Sequence, residues 1–165
     1  MNPKSPLEQK SILVVDDEPD VLDTIGDILN MCRLQKAGDF NTALGYILNN
    51  TYDFVILDIQ GVNGFELLEK SVLRGFPTIM LTAHAATPEA LKKSIKLGAS
   101  CFLPKEYMAD LQEILEDILL GRGERFWWLK SLEKTSSYFD KRFGQDWKKT
   151  DAIFKEFEDS LKKKG

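Results

Sequence analysis

Short apolar runs alternate with segments of helical periodicity along most of this chain. Four of the runs are rich in β-branched or aromatic residues, which is typical of strands that are buried on both faces. They are residues 11–15, 53–57, 77–81 and 100–103, and the more polar residues 33–37 are a candidate edge strand. The pattern predicts an α/β fold in which a strand and a helix are repeated five times around a parallel, doubly wound sheet.

Residues typical of helix boundaries support this order of elements. Prolines fall in the expected first turns, short polar side chains at the expected N-caps, and glycines where helices are expected to end. These residues are Pro19 and Pro88, Asp39 and Thr87, and Gly75, Gly98 and Gly121. In a sheet of this kind a ligand site is expected in the crevice at the carboxyl ends of the strands.

Polar residues follow the strands at this expected edge. Asp16 and Asp17 follow the first strand, Asp58 follows the third, and Thr82 and Lys105 follow the fourth and fifth. Each of them alone could be a cap, a turn residue or a surface charge. Together, three carboxylates in one crevice would raise each other's pKa, and a bound divalent cation would relieve their repulsion. Hard oxygen donors favour Mg²⁺, with Asp16 and Asp17 as ligands directly or through water.

A carboxylate beside a bound Mg²⁺ can act as a nucleophile toward a phosphoryl group. Asp58 stands alone at the end of its strand and is the candidate for that role. Charge spreads over the phosphoryl oxygens in the transition state, so positive charge and hydrogen-bond donors are needed beside them. Lys105 and Thr82 are placed to supply both.

In this order and spacing, the residues resemble the receiver domains of two-component response regulators, over about residues 9–121. The resemblance implies the strand order 2-1-3-4-5, Asp58 as the phosphoacceptor, and a metal site made by Asp16, Asp17, Asp58 and the backbone carbonyl of Gln60. It implies Mg²⁺ as the cofactor and a sensor histidine kinase or phosphotransfer protein as the phosphoryl donor. It also implies a switch that catalyses its own phosphorylation and dephosphorylation and is not an enzyme for other substrates.

The resemblance further implies a route from the site to the surface. Thr82 and Lys105 match the family's switch hydroxyl and lysine, and Phe102 lies where the family keeps a rotating aromatic residue. When Asp58 is phosphorylated, Thr82 is expected to move to a phosphoryl oxygen and Phe102 to turn into the vacated space. The surface of the fourth helix, fifth strand and fifth helix then changes shape. An ordinary core role for Phe102 is the alternative, and His84 is expected to border the site.

Two features depart from the family's usual pattern. The stretch DIQGVNG lacks the usual Met-Pro and reaches Gly64 six residues after Asp58, where the family has eight, so the loop is shortened. The family's lysine is normally followed by proline, whereas here Pro104 precedes Lys105 and Glu106 follows it. A cis bond before a residue other than proline costs about 2.5–4 kcal/mol, so we expect a trans bond between Lys105 and Glu106.

Charge divides the chain near residue 121. Residues 1–120 contain 10 Lys and Arg against 18 Asp and Glu, a balance of −8, and residues 121–165 contain 12 against 8, a balance of +4. We expect a flexible segment at residues 1–8, a receiver domain at 9–121 and a helical tail at 122–165. The tail is predicted to form two helices separated at Gly144.

Each tail helix has an apolar stripe that needs a partner. The stripes are Phe126, Leu129, Leu132, Phe139 and Phe143 in the first, and Trp147, Phe154, Phe157 and Leu161 in the second. Residues 125–130 (RFWWLK) are the expected anchor. The helices can pack on each other, on the receiver, or in a homodimer formed through the tail or through the surface of the fourth helix, fifth strand and fifth helix. Nucleic acid is not an expected partner, because no basic recognition helix is evident.

Compartment and competing functions follow from what the sequence lacks. Cys32 and Cys101 are too few for a disulfide framework, and neither a targeting segment nor an apolar run of spanning length is evident, so we expect a cytoplasmic protein.

One alternative function is a phosphorylation-independent interaction or dimerisation module with a modified receiver. Another is an enzyme on a flavodoxin-like scaffold, which is disfavoured because DDEP after the first strand would repel a phosphate.

Overall fold

The structure is a computed structural model, and it describes residues 4–83, 86–121, 124–144, 155, 156 and 159. Five strands alternate with five helices, and a sixth helix follows. The strands are β1 (Ser11–Val15), β2 (Arg33–Ala37), β3 (Phe54–Leu57), β4 (Thr78–Thr82) and β5 (Cys101–Pro104). The helices are α1 (Pro19–Ile28), α2 (Phe40–Asn49), α3 (Gly64–Leu73), α4 (Pro88–Lys96), α5 (Leu111–Leu119) and α6 (Glu124–Phe143), with a 3₁₀ helix at Lys105–Asp110.

All five strands form one parallel sheet in the order β2-β1-β3-β4-β5. This confirms the predicted fold class and strand order. The pairings of β1 with β3 and of β4 with β5 align the carboxyl ends of the strands. Val15 lies opposite Leu57, and Thr82 lies opposite Pro104. Residues that directly follow β1, β3 and β5 therefore meet at one edge, together with the last residue of β4.

Two apolar cores lie on opposite faces of the sheet, as expected for a doubly wound fold. One face of the sheet packs on buried residues of α1 and α5, such as Ile25 and Leu115. The other packs on α2, α3 and α4, which contribute Ile47, Leu67 and Leu91. The strands β3 and β4 are buried along their whole length because both of their faces are covered.

The predicted helix boundaries are confirmed in detail. The Asp39 carboxylate accepts a hydrogen bond from the backbone N–H of Thr42 at 2.8 Å, and the Thr87 hydroxyl accepts one from Ala90 at 3.1 Å. Each satisfies an amide that the first turn of a helix leaves unpaired. Gly75, Gly98 and Gly121, each with a positive φ, end three of the helices.

The helix α6 packs against β5 and α5. Trp128, Leu132 and Phe139 are buried, while Phe143, which was predicted to lie on the same stripe, is largely exposed. Ser131 and Thr135 are also buried on this face, which the apolar pattern did not predict. The side chains of Phe126 and Leu129, and the second tail stripe at Trp147, Phe154, Phe157 and Leu161, lie outside the described residues.

Residues 4–8 are packed against the domain, although residues 1–8 were expected to be flexible. Leu7 is completely buried in the core beneath α1 and α5. The Ser5 hydroxyl donates a hydrogen bond to the Glu116 carboxylate at 2.9 Å, and Gln9 N–H donates to the carbonyl of Met31 at 2.9 Å. The expectation missed this because one leucine among polar residues carries no periodic signal. Among the described residues, no helix is both long and apolar enough to cross a membrane.

Candidate functional site

The carboxyl edge of the sheet brings together side chains from four strand ends. Asp16 follows β1, Asp58 follows β3, Thr82 ends β4, and Lys105 follows β5. The backbone N–H of Asp58 donates to the carbonyl of Val15 at 3.0 Å, which continues the pairing of β1 and β3 by one residue. The Asp16 and Asp58 carboxylates therefore lie side by side, with only 2% and 7% of the two residues exposed.

Lys105 bridges the two buried carboxylates. Its Nζ lies 2.8 Å from Asp16 Oδ2, 3.3 Å from Asp58 Oδ2 and 3.9 Å from Glu18 Oε1. The remaining carboxylate oxygens accept backbone hydrogen bonds: Asp16 Oδ1 from Glu18 N–H at 2.9 Å, and Asp58 Oδ1 from Ile59 N–H at 2.8 Å. The lysine thus relieves part of the repulsion that the sequence argument assigned to a metal ion alone.

Burial and neighbouring charges shift the pKa of both partners. Burial and the adjacent Asp16 charge raise the pKa of Asp58 above its ordinary value, and Lys105 opposes them only in part. For Lys105, burial by itself would lower the pKa, but the hydrogen bond to Asp16 and the charges of Asp58, Asp16 and Glu18 raise it. The site therefore holds an ammonium whose charged form is stabilised beside a carboxylate whose ionised form is destabilised.

An acidic cluster adjoins this pair on its exposed side. One carboxylate oxygen from each of Asp16, Asp17 and Glu18 lies within 4.8 Å of the others. Gly61, which follows Gln60 in the loop after β3, lies so close to the Asp17 carboxylate that a Cβ there would overlap it. The acidic cluster therefore lies against the loop after β3, and its hard oxygen donors fit Mg²⁺. Glu18 was not predicted as a site residue, although its position directly after Asp17 was a signal for it.

The hydroxyl of Thr82 is buried next to this cluster. Thr82 is completely buried, and its Oγ1 makes no hydrogen bond within 3.5 Å in the parts of the chain that the structure describes, although the hydroxyl lies near enough to the Asp58 carboxylate to help lower its pKa. A buried hydroxyl without a partner costs free energy, so such a group is commonly reserved for a ligand or a second state. His84, expected to border the site, lies outside the described residues.

Residues 12–118 match the family described as the response regulator receiver domain. The chain belongs to this family. Among similar curated proteins are the two-component response regulator ARR18 of Arabidopsis thaliana, 31% identical over 66% of the chain, and the response regulator Rre1 of Synechocystis, 29% identical over 71%. The nitrogen assimilation regulatory protein NtrX of Azorhizobium caulinodans is 35% identical over 69% of the chain.

These curated relatives are longer than the present chain. The matches span 18% of ARR18, 54% of Rre1 and 28% of NtrX. Two solved receiver structures are matched over nearly their whole length and cover about 70% of this chain. A CheY-like receiver domain protein from Methanospirillum hungatei is 28% identical, with a TM-score of 0.62 over 70% of this chain and 100% of its own. The receiver domain of the Francisella response regulator 1452 is 28% identical, with a TM-score of 0.58 over 69% and 98%.

The shortened loop after β3 is accommodated by Gly64. This residue begins α3, and its N–H donates to the carbonyl of Ile59 at 2.9 Å. A Cβ on Gly64 would overlap the backbone carbonyl oxygen of Asp58. The helix can begin this close to the end of the strand only because the residue has no side chain.

The peptide bond after Lys105 has the conformation expected from the replacement of the family's proline by Glu106. The described residues contain no cis peptide bond, which confirms the expected trans link between Lys105 and Glu106. The chain turns at once into the 3₁₀ helix Lys105–Asp110. The receiver therefore positions its lysine at the first residue of this helix, directly after the last residue of β5.

Phe102 is completely buried on β5 and belongs to the core that includes Met80. It also contacts α6, since its ring packs edge-on against Phe139 with the ring centroids 6.4 Å apart. The surface on which α6 lies includes part of the surface that was expected to support a homodimer. In this receiver domain the tail and β5 therefore contact each other within one chain.

Proposed function

We propose that this receiver domain accepts a phosphoryl group on Asp58 and acts as a phosphorylation-dependent switch in two-component signalling. The donor is the phosphohistidine of a sensor histidine kinase or a phosphotransfer protein. One observation carries the proposal: at the edge of the sheet a buried carboxylate lies beside an ammonium and near a buried hydroxyl that makes no close hydrogen bond. A phosphoryl group on Asp58 would give Lys105 and Thr82 the anionic oxygens that both can bind.

The acidic cluster is the proposed Mg²⁺ site. Asp16, Asp17, Asp58 and the backbone carbonyl of Gln60 would hold the ion, and Glu18 lies close enough to take part through water. When bound, Mg²⁺ neutralises charge on the phosphoryl oxygens and on the carboxylates that face them. The chain itself supplies the convergence of oxygen donors and the close approach of Gly61 to Asp17.

The transfer step follows from the arrangement of the side chains. One carboxylate oxygen of Asp58 forms a bond to phosphorus while the phosphorus–nitrogen bond of phosphohistidine breaks. The electron pair of that bond stays on the imidazole, which takes up a proton, and Asp58 becomes an acyl phosphate. Lys105 exchanges its contact with Asp58 for one with a phosphoryl oxygen, and Thr82 donates its hydroxyl to another. Attack by water on phosphorus later restores the carboxylate, so the domain acts only on itself.

A direct test uses the full chain and a small phosphodonor such as acetyl phosphate. We expect intact-mass spectrometry to show the gain of one phosphoryl group with Mg²⁺ and none with a chelator. Asp58→Asn should abolish the gain. Asp27→Asn is the matched control, because Asp27 is an exposed aspartate on α1 away from the crevice.

Labelling that persists in Asp58→Asn, or that is independent of Mg²⁺, would contradict the assignment of Asp58 and of the metal site respectively. A wild-type chain that is not labelled by any phosphohistidine or small donor would contradict the proposed switch. The phosphorylation-independent interaction module would then be the better description.

A further inference from the structure

The tail helix contacts the same residue that the switch would move. The hydroxyl groups of Ser131 and Thr135 both donate hydrogen bonds to the backbone carbonyl of Phe102, at 2.6 and 3.3 Å. The Phe139 ring lies against the Phe102 ring, and Trp128 is buried in the same core. One residue of β5 therefore receives both polar and aromatic contacts from α6.

The buried face of α6 is half polar, which favours reversible docking. Trp128, Leu132 and Phe139 alternate on this face with buried hydroxyl residues at positions 131, 135 and 136. Hydroxyl groups can hydrogen-bond equally well to water, so exposing this face costs less than exposing a fully apolar stripe of the same length.

One side of the C-terminal half of α6 borders an open cleft, while its other side makes the Phe102 contact. A cleft of about 430 Å³ separates it from the 3₁₀ helix that begins at Lys105. The cleft is lined by Glu106, Tyr107, Tyr138, Lys141 and Arg142. The hydrogen bonds and ring contact at Phe102 are therefore among the contacts that hold α6 in place, together with buried Trp128 and Leu132.

The pairing of β4 with β5 connects this contact to the site. Met80 lies opposite Phe102, and Thr82 lies opposite Pro104. Because side chains two residues apart point to the same face, Thr82 and Phe102 are diagonal neighbours on the face that carries Met80. If Thr82 moves toward a phosphoryl oxygen, it leaves a void beside Phe102. Close-packed interiors do not tolerate such voids, so the Phe102 ring shifts toward Thr82 and away from Phe139.

We propose that α6 is the output element of this receiver: it is docked on β5 while Asp58 is unphosphorylated and is released when Asp58 carries a phosphoryl group. This inference rests on the proposed phosphorylation of Asp58. The occupant of the β5 surface is thus the chain's own helix. Its release exposes both the Trp128–Phe139 face of α6 and the β5 surface beneath it.

Thermodynamic linkage makes the coupling between phosphorylation and the docking of α6 reciprocal. If phosphorylation weakens the docking of α6, then docking must weaken the binding of a phosphoryl group or its mimic by the same factor. A variant that loosens α6 without touching the site should therefore bind a phosphoryl mimic more tightly. This second consequence is independent of any measurement of helix motion.

The first experiment measures amide hydrogen exchange of the full chain with Mg²⁺, in the presence and absence of beryllofluoride, a mimic of the phosphoryl group. We expect exchange within Glu124–Phe143 to become faster when the mimic is bound, and exchange in α2, at the far end of the sheet, to stay unchanged. Slower or unchanged exchange in α6 with the mimic bound would overturn the inference.

The second experiment uses the double variant Ser131→Ala, Thr135→Val, which removes both hydroxyl groups that bind Phe102 and closely preserves the side-chain volumes. We expect its half-saturating beryllofluoride concentration to fall by about three- to tenfold relative to wild type. Ser137→Ala is the matched control, because Ser137 lies on the exposed face of the same helix. Equal mimic affinity in the double variant and the control would overturn the coupling.

The two proposals fail in distinguishable ways. If Asp58 is not labelled and the mimic does not bind, the proposed function is wrong and this inference falls with it. If Asp58 is labelled and the mimic binds, but α6 and the double variant respond as the controls do, only the release of α6 is wrong.

Discussion

At the scale of single residues, the ion pairs that Lys105 makes in the structure compete with the contact proposed for it with a phosphoryl oxygen. In the structure it neutralises Asp16 and Asp58, with its ammonium 2.8 and 3.3 Å from their oxygens. In the proposed transfer it leaves Asp58 for a phosphoryl oxygen. The raised pKa of Asp58 shows that the lysine does not fully offset burial and the Asp16 charge. The ionised Asp58 carboxylate is thus kept at a free-energy cost to the folded state, which is common at reactive sites.

We therefore expect Asp58→Asn to stabilise the protein. At neutral pH with a chelator present, the free energy of unfolding should rise by about 1 kcal/mol. A neutral amide then replaces a destabilised charge, while the ion pair of Lys105 with Asp16 is kept. A pKa raised on folding means that wild type loses stability as pH rises from the ordinary value of 3.8 through the raised one. The gain should consequently shrink at mildly acidic pH. Urea unfolding at the two pH values measures it, and a loss of stability at neutral pH would contradict the argument.

At the scale of secondary-structure elements, the shortened loop between β3 and α3 depends on one glycine. Gly64 lets α3 begin against the Asp58 carbonyl, so the position of the helix and that of Asp58 are linked. Gly45 offers a contrast in the neighbouring helix α2, since no atom lies within 4 Å of where its Cβ would be. The two glycines are identical in the sequence and differ only in what surrounds them.

We expect Gly64→Ala to destabilise the domain by about 3 kcal/mol, because backbone cannot yield as a flexible side chain can. Gly45→Ala should instead stabilise it by about 0.5–1 kcal/mol, since alanine loses less backbone entropy in a helix. Thermal and urea unfolding of both variants provide the comparison. Similar effects of the two substitutions would show that the close approach at Gly64 is not important.

The sequence predicted most of the strands and helices but not the docking of the last helix. Buried strands and capped helices were predictable, because apolar runs and local hydrogen bonds such as Asp39 to Thr42 depend on neighbouring residues. The strand ends also placed Asp58 and Lys105 at one edge. The docking of α6 was not predictable, since an apolar stripe fits several partners equally well. Ser131 and Thr135 were missed because a hydroxyl residue in a helix is usually exposed.

For the molecule as a whole, both ends of the receiver domain are packed against it. The N-terminal segment is attached through Leu7 and through the bond from Ser5 to Glu116 of α5, and α6 covers β5 and part of α5. The expected boundaries at residues 9 and 121 follow the repeating strands and helices. The described structure nevertheless extends the packed unit beyond both of them, because burial, and not periodicity, decides which residues are held.

We expect Leu7→Ala to destabilise the protein by about 2–4 kcal/mol, the usual cost of removing a buried leucine side chain. Glu8→Ala, at an exposed neighbouring position, should change stability by less than about 0.5 kcal/mol. Urea unfolding of both variants tests the packing of this segment. Equal stabilities would show that residues 4–8 do not belong to the folded core.

The position of α6 also affects whether the edge of the sheet can pair with another molecule in solution. An outer strand such as β5 presents backbone groups that can pair with a strand of another molecule, which is a common start of aggregation. Here two hydroxyl groups and a tryptophan-containing helix shield that border. A chain shortened to residues 1–121 would keep every residue of the proposed phosphorylation site but lose this protection. It would then tend to self-associate through β5.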